Sequence, residues 1–267
     1  METADRKFTG RPPDKRLDGL VLRYEGYAFA SIQQRQRREL PSTTVPLVIS
    51  FEDVFTIDGE PMATFTSGLQ KNKVLTGWPT RVRGIQIDLS VLGAHLLLDI
   101  PMPELTGHVV PLEDTLGPRA EHLAERLYEL PDWPSRFNLL DEVFLARLDQ
   151  AKLPKPELTR AWQRIHDSGG ALDITELAQE LACNRQHLTS RFRHTFGVPP
   201  KALACLRRFE QAAHLLETGR APLSEVALRT GYSDQAHFHR EFQRFTGTTP
   251  HQHLRLRRSE PSDDTQP

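Results

Sequence analysis

Two segments of this chain carry the same pattern of apolar, glycine and proline positions. Residues 184–200 read NRQHLTSRFRHTFGVPP, residues 234–250 read DQAHFHREFQRFTGTTP, and the two align without a gap. Repetition of this kind predicts that one small unit is built twice. The aligned pairs are His187 with His237, Leu188 with Phe238, Phe192 with Phe242, Gly197 with Gly247 and Pro200 with Pro250.

Each repeat is predicted to be a helix, a tight turn and a second helix. The first helices, around ITELAQELA and LSEVALRTG, place small apolar pairs at Leu177-Ala178 and Val226-Ala227. A buried alanine lets two helices cross closely, and a turn of three or four residues fixes the crossing near a right angle. Asn184, and either Ser233 or Asp234, can accept hydrogen bonds from the backbone N–H groups that open the second helices. The sequence therefore predicts a tandem helix-turn-helix.

The polar face of each second helix indicates what such a unit reads. The phenylalanine stripe holds the helix on its scaffold, and the opposite face is rich in Gln, Arg, His, Thr and Ser. An α-helix fits the major groove of B-DNA, where these side chains can pair with base edges. The segment PKALACLRRFEQAAHLLETG separates the units by about 27–30 Å if it is helical. Major-groove faces recur about every 34 Å, so one chain could place two recognition helices in neighbouring turns of DNA.

Charge is distributed unevenly along the 267 residues, whose net charge is −1. Residues 1–154 hold 18 Lys and Arg against 22 Asp and Glu, whereas residues 155–258 hold 16 against 10 and eight of the eleven His. The basic second half favours a polyanionic partner. A net charge of +6 over about a hundred residues, 16 against 10, is however also common for an ordinary solvated surface.

The first half is predicted to be β-rich and then helical. Runs at 45–51, 62–68, 72–78 and 83–90 are β-rich, and GIQIDL alternates, with Ile85, Ile87 and Leu89 on one side. This spacing suggests a small β-sandwich or barrel. After a short helix at SVLGAHLLL, amphipathic helices are expected at 117–130 and 134–148, and AKLPKPEL (151–158) is the candidate linker. Residues 1–14 and 259–267 are expected to be disordered ends.

The apolar faces of the two amphipathic helices have two interpretations. Leu123, Leu127 and Leu130 share one face, and Phe137, Leu140, Phe144 and Leu148 share the other. These faces could form a dimer seam, or they could pack against the β-rich part of the same chain.

Residues 158–257 resemble the DNA-binding domain of the AraC/XylS-type transcription regulators. The resemblance rests on ITELAQELACNRQHLTSRFRHTFGVPP, RRFEQAAHLLETG and LSEVALRTGYSDQAHFHREFQRFTGTTP. It covers roughly a hundred residues strongly and implies an all-α domain with two helix-turn-helix units. The first half is similar, more loosely, to the cupin-like barrel-plus-helices sensing domains that precede this domain.

The resemblance implies roles for ten residues. Base-edge readers would be Gln186, Thr189 and Ser190 in the first unit and Ala236, His237 and Arg240 in the second. Arg185, Arg193, Gln235 and Arg244 would touch phosphates, which position a protein without specifying sequence. Arg240 is the sharpest candidate, since Arg to guanine is the commonest specific contact.

Two positions depart from the family pattern. Ala182 stands where the first turn usually has glycine, and a left-handed alanine there would cost about 1 kcal/mol. After Pro250 the family often has an aromatic–Arg pair, whereas this chain has His253-Leu254. The closing helix is therefore expected to dock differently.

Other classes of site find less support. The pairs His237/His239 and His251/His253 lie two residues apart, so a helix directs them to different faces, and neither pair has ligand spacing to Cys183 or Cys205; we expect no metal or cofactor. A catalytic front half, the rival class, lacks Cys, a Gly-x-Ser-x-Gly motif and a phosphate loop, and its three His follow the strands. A ligand pocket lined by Phe51, Phe55, Phe65 and Trp78 remains open beside ordinary core packing.

The sequence thus predicts a bacterial-type cytoplasmic transcription factor that is not an enzyme. Two Cys suit a reducing compartment, no apolar run suits a membrane span, and the polar residues 1–16 lack the core of a signal peptide. Double-stranded DNA is the expected partner; RNA polymerase, a small-molecule effector and a second copy remain open. We expect an α+β chain of two domains: residues 1–154 for sensing or dimerisation, as a small β-barrel or sandwich (20–89) with helices (90–150), and residues 155–258 for DNA binding, with helix-turn-helix units at 174–196 and 223–246, before a tail at 259–267.

Overall fold

A computed structural model of the chain describes residues 7–30, 35–52, 54–117, 119–219 and 221–259. Within these residues the strands all lie before the linker region. They are β1 (Lys7–Arg11), β2 (Val21–Ala30), β3 (Arg35–Glu39), β4 (Thr44–Ser50), β5 (Phe55–Ile57), β6 (Glu60–Met62), β7 (Phe65–Ser67), β8 (Val74–Trp78), β9 (Arg81–Ser90) and β10 (Val109–Pro111).

The strands form two antiparallel sheets that pack as an open sandwich. The larger sheet has the order β1-β2-β9-β4-β7-β10, and the smaller has the order β3-β8-β5-β6. An apolar cluster lies between them, with Tyr27 and Val48 from the larger sheet and Phe55 and Trp78 from the smaller. The predicted alternation of β9 is confirmed, since Ile85, Ile87 and Leu89 are fully buried while the residues between them are partly exposed.

Helices account for most of the remaining described residues. Five precede the linker region: α1 (Val91–Leu97), α2 (Met102–Leu105), α3 (Glu113–Leu116), α4 (Arg119–Glu129) and α5 (Trp133–Leu148). Seven follow it: α6 (Pro156–Asp167), α7 (Ile174–Glu180), α8 (Arg185–Phe196), α9 (Pro200–Thr218), α10 (Leu223–Arg229), α11 (Gln235–Thr246) and α12 (Pro250–Ser259). No helix among the described residues is long and apolar enough to cross a membrane.

The apolar faces of α4 and α5 are buried within the chain itself. Leu127 and Leu140 are completely buried, and Phe137 and Phe144 are nearly so. The Tyr24 ring on β2 stacks with Phe137 at 5.8 Å and with Phe144 at 6.4 Å between centroids. Packing against the larger sheet therefore occupies the faces that could also have formed a dimer seam.

Two expectations about the first half are wrong. Residues 7–11, expected to be disordered, form β1, which pairs with β2, and Arg11 binds Asp141 on α5 at 2.7 Å. The segment after Ser90, expected to be helical, contains β10, which pairs with β7. β1 is short and polar, while β10 has three residues, includes a proline and pairs with a strand far earlier in the chain, so local periodicity carries no signal for either strand. The expected disorder of residues 1–6 and 260–267 lies outside the described residues.

The two halves of the chain contact one another directly. The end of α8 lies against α1 and α2: the Phe196 ring contacts the His95 ring at 5.9 Å, and a Cβ on Gly197 would overlap Met102 and Thr106. Thr43 Oγ1 also donates to the Glu210 carboxylate on α9 at 2.6 Å. One continuous apolar cluster consequently runs through both halves.

The second half contains the predicted pairs of helices, and their turns have matching geometry. Ala182 after α7 has φ of 50°, and Gly231 after α10 has φ of 77°. In each turn the next backbone N–H bonds back into the preceding helix at 2.9 Å, from Cys183 to Ala178 and from Tyr232 to Ala227. Ala182 is therefore left-handed, which is the strained geometry expected from its place in the pattern.

These turns predict opposite effects for reciprocal substitutions. Ala182→Gly should raise the free energy of unfolding by about 0.5–1 kcal/mol, because the strain of a left-handed alanine exceeds the entropic cost of glycine. Gly231→Ala should lower it by about 1–2 kcal/mol or more, because strain is added and the new Cβ would lie 2.7 Å from that of Ala171. Urea denaturation of both variants measures this; a destabilising Ala182→Gly would contradict it.

Candidate nucleic-acid interface

The first candidate recognition helix, α8, is anchored at its start and along one face. Asn184 caps it by accepting hydrogen bonds from the backbone N–H groups of Gln186 at 2.8 Å and His187 at 3.3 Å. Phe192 and Phe196 are fully buried and contact each other at 4.6 Å between ring centroids. The cap and the buried stripe together leave the opposite face free for contacts outside the chain.

The second candidate recognition helix, α11, is built in the same way. Asp234 is the cap, with Oδ1 accepting from the His237 backbone N–H at 2.6 Å, and Ser233 Oγ instead bonds the second oxygen of Asp234. The backbone hydrogen bond from His237 to Asp234 resolves the alternative that the sequence left open, and the cap is Asp234. Hydrogen bonding to the His237 N–H also holds the pKa of the Asp234 carboxyl below its usual value.

The residues expected to contact DNA in the first unit are brought together on α8. Arg185, Gln186, Ser190 and Arg193 are exposed, and Thr189 is partly exposed. Their spacing of one, four, five and eight positions places them on one face of the helix. That face adjoins the buried stripe of Leu188, Phe192 and Phe196, and Gln186 and Ser190 lie furthest from the stripe.

The corresponding residues of the second unit lie on α11, but two of them also contact other side chains of the same chain. Gln235, Ala236 and Arg240 are exposed. His237 is half-buried: its Nδ1 lies 3.2 Å from Ser233 Oγ and its ring lies edge-on to Tyr232 at 5.2 Å. Arg244 is exposed but donates to Glu241 at 3.2 Å and lies over the Phe245 ring.

A buried ion pair, which the sequence analysis did not single out, lies beneath α11. Arg208 on α9 donates from Nη2 to Glu241 Oε2 at 3.1 Å, and the two side chains are 9% and 8% exposed. The Arg208 guanidinium also lies 4.8 Å over the Tyr232 ring. One signal was available: Glu241 interrupts an otherwise apolar stripe, between Phe238 and Phe242.

The closing helix docks through the departure noted in the sequence. His253 is buried, its Nε2 lies 2.7 Å from Glu217 Oε1 on α9, and its ring contacts Phe242. Burial alone would raise the pKa of Glu217, but the contacts with His253 and Arg257 reverse the direction and lower it. His253 thus packs its ring against the core and bonds Glu217 through its nitrogen.

Among the described residues no group of His, Cys, Asp and Glu has the arrangement of a metal site.

Three of the four proposed pocket residues in the first half come together. Phe55 contacts Trp78 at 5.2 Å and Phe65 at 5.9 Å between ring centroids. Phe51 lies elsewhere, against Tyr128 and Arg136. Tyr27 Oη and Trp78 Nε1 are buried in the same cluster and have no hydrogen-bond partner among the described residues.

Comparison with known proteins finds a known domain in the second half. A profile described as a helix-turn-helix domain matches residues 177–256. The arabinose operon regulatory protein of Escherichia coli K12 is 31% identical over 120 residues, which is 42% of this chain and 41% of that protein. The chain thus covers less than half the length of this relative.

Solved structures of similar proteins include the C-terminal domain of AraT, a response regulator from Geobacillus stearothermophilus. It is 30% identical, with a TM-score of 0.37, over 42% of this chain and 93% of that one. ToxT from Vibrio cholerae is 11% identical, with a TM-score of 0.48, over 87% of this chain and 97% of that one. The profile match, together with the paired helices and their turns, identifies residues 177–256 as a helix-turn-helix domain, and this part of the chain is similar to the arabinose operon regulatory protein.

Proposed function

We propose that this protein is a sequence-specific DNA-binding regulator of transcription that acts in the bacterial cytoplasm. The observation that carries the proposal is the pair of capped helices, α8 and α11, each with a polar face exposed opposite a buried aromatic stripe. The similarity to the arabinose operon regulatory protein supports the same conclusion. In this proposal residues 155–258 bind the operator and residues 1–154 sense a signal or dimerise.

The length of α9 supports simultaneous use of both units. Its 19 residues span about 28 Å at the usual rise per residue. This is close to the repeat of about 34 Å between major-groove faces on one side of DNA. We therefore expect an operator with two short sequence blocks about one helical turn apart.

Binding, rather than catalysis, is the proposed activity of the first half. Residues 1–154 contain no Cys and only His95, His108 and His122, so a thiolate nucleophile is absent and a histidine metal cluster on the strands has no ligands. A buried aromatic cluster between two sheets is instead suited to holding one small molecule. Tyr27 Oη and Trp78 Nε1 would donate hydrogen bonds to an acceptor on that molecule.

The 267-residue chain should select DNA from a random pool. Enrichment of two blocks about one helical turn apart is the expected result. Recovery of unenriched DNA, with binding that disappears at moderate salt, would show only non-specific attraction to the basic half and would overturn the proposal. RNA polymerase and a second copy of the chain are further possible partners. Transcription from a promoter in vitro tests the first, and sedimentation equilibrium tests the second.

Arg240 and Arg244 should differ in how their loss affects DNA binding. Arg240→Ala should cost roughly 1–3 kcal/mol and relax one base preference, because an exposed arginine in the middle of α11 can pair with guanine. Arg244→Ala should weaken all sequences alike and lower the salt slope by about one. Binding curves on matched and mismatched sites measure both, and equal losses on every site would contradict the role given to Arg240.

The Tyr27 hydroxyl, which has no hydrogen-bond partner within the described residues, predicts an unusual stability result. Tyr27→Phe should leave the ligand-free protein equally stable or raise its free energy of unfolding by about 1 kcal/mol, because a buried unpaired group is removed. Tyr24→Phe is the matched control and should cost roughly 1.5–3 kcal/mol, because the Tyr24 hydroxyl donates to the Asp141 carboxylate at 2.9 Å. Urea denaturation of both variants makes the comparison. If Tyr27→Phe lowers the free energy of unfolding as much as Tyr24→Phe does, the Tyr27 hydroxyl has a hydrogen-bond partner and the prediction is wrong.

A further inference from the structure

The two helix-turn-helix units meet around one buried side chain, Arg208. It lies on α9, which joins the units, and its guanidinium contacts Glu241 on α11 and the Tyr232 ring in the turn before α11. The same turn touches the first unit, since Gly231 packs against Ala171 in the loop between α6 and α7. Arg208 therefore occupies the point at which the connecting helix, the second unit and the edge of the first unit converge.

Aromatic packing also joins α9 and α11. The Phe209 ring lies 5.4 Å from the Phe242 ring and 4.6 Å from the Phe245 ring. Apolar packing of this kind is favourable but non-directional, so several rotations of α11 could bury the same rings. The hydrogen bond between Arg208 and Glu241 is directional and charge-assisted, and it selects one of these rotations.

Glu241 connects this buried point to the exposed face of α11. Its Oε2 accepts from Arg208, while its Oε1 accepts from Arg244 at 3.2 Å. Arg244 is 60% exposed and is one of the residues expected to touch DNA phosphate. A guanidinium has five N–H donors, so Arg244 can keep this contact and still bind a phosphate.

The first unit has no copy of this arrangement. The position that aligns with Glu241 is Arg191, which pairs with Glu157 on α6 at 3.4 Å. Those side chains are 40% and 32% exposed, whereas the Arg208–Glu241 pair is almost completely buried. The charge on the recognition helix is thus reversed between the units, and only the second helix is tied to α9 by a buried pair within the described residues.

We propose that the Arg208–Glu241 pair is the positioning contact that sets the direction of α11 relative to α9, and thereby the spacing between the two DNA blocks that one chain reads. This inference rests on the proposed function. Arg208 and Glu241 are positioning residues that act through α11 and Arg244. A purely stabilising pair could instead be replaced by apolar side chains without a change in what the protein binds, since such replacement of buried pairs is often neutral for stability.

The test uses the 267-residue chain and a set of DNA duplexes. In these the two selected blocks are kept and the gap between them is lengthened or shortened. The test variant is Arg208→Met with Glu241→Met, which removes both charges and leaves neither unpaired. The matched control is Arg164→Gln with Glu180→Gln, which removes an exposed pair of the same charges between α6 and α7.

Wild type and the control should prefer the parental gap by roughly tenfold or more, because a misplaced block loses its base contacts. The Met/Met variant should remain folded, still require the first block, and bind all gap lengths within about threefold of one another, since α11 is no longer held in one direction. A folded Met/Met variant that keeps the parental preference would overturn the inference and leave the proposed function intact. A wild type that selects no two-block site would overturn both.

If the Met/Met variant does not fold, Arg208→Lys carries the test. Lysine keeps the charge beside Glu241 but lacks the planar fork that reaches the carboxylate while lying over Tyr232. This variant should prefer the parental gap less strongly than wild type does, and it should still require the first block. A gap preference equal to that of wild type would overturn the inference.

Discussion

The burial of α9 between the two helix-turn-helix units is the constraint on which the second half of the structure depends. Phe209 is fully buried and contacts the aromatic stripe of α11, while Glu217 near the end of α9 holds the closing helix through His253. Glu210 on the same helix accepts a hydrogen bond from Thr43 of the first half. α9 thus contacts both units, the closing helix and the first half of the chain. A displacement of α9 would therefore change the position of each of them.

This shared scaffold explains how polar recognition faces can be exposed on small units. Helices of 12 residues are marginal in isolation, and most of their stability comes from packing. In α8 and α11 the caps accept hydrogen bonds from the first N–H groups, and the phenylalanines pack in the core. Exposed residues such as Gln186 and Arg240 are therefore not needed to hold these helices in place. The half-buried His237 also contacts the turn, and Arg244 also contacts Glu241 and the Phe245 ring.

The first half meets the second at the end of a recognition helix rather than at the face expected to read DNA. Phe196 and Gly197 contact α1 and α2, whereas Gln186 and Ser190 stay exposed. A change in the sandwich could therefore be transmitted to the orientation of α8 without covering its polar face. The aromatic cluster between the sheets holds two buried donors that find no hydrogen-bond partner in the described part of the chain, and it is the part of the first half where such a change could begin.

The sequence by itself determined the tandem helix-turn-helix of the second half, its turns and the exposed positions on α8 and α11, because helical periodicity, caps and glycines are local signals. It also indicated the left-handed strain at Ala182. Only the tertiary structure decided that the strands form an open sandwich, that β1 and β10 exist, and that Phe51 lies away from Trp78. Those features depend on pairing between distant segments. The Arg208–Glu241 pair belongs with them, since 33 positions separate its members and only packing brings both charges out of water.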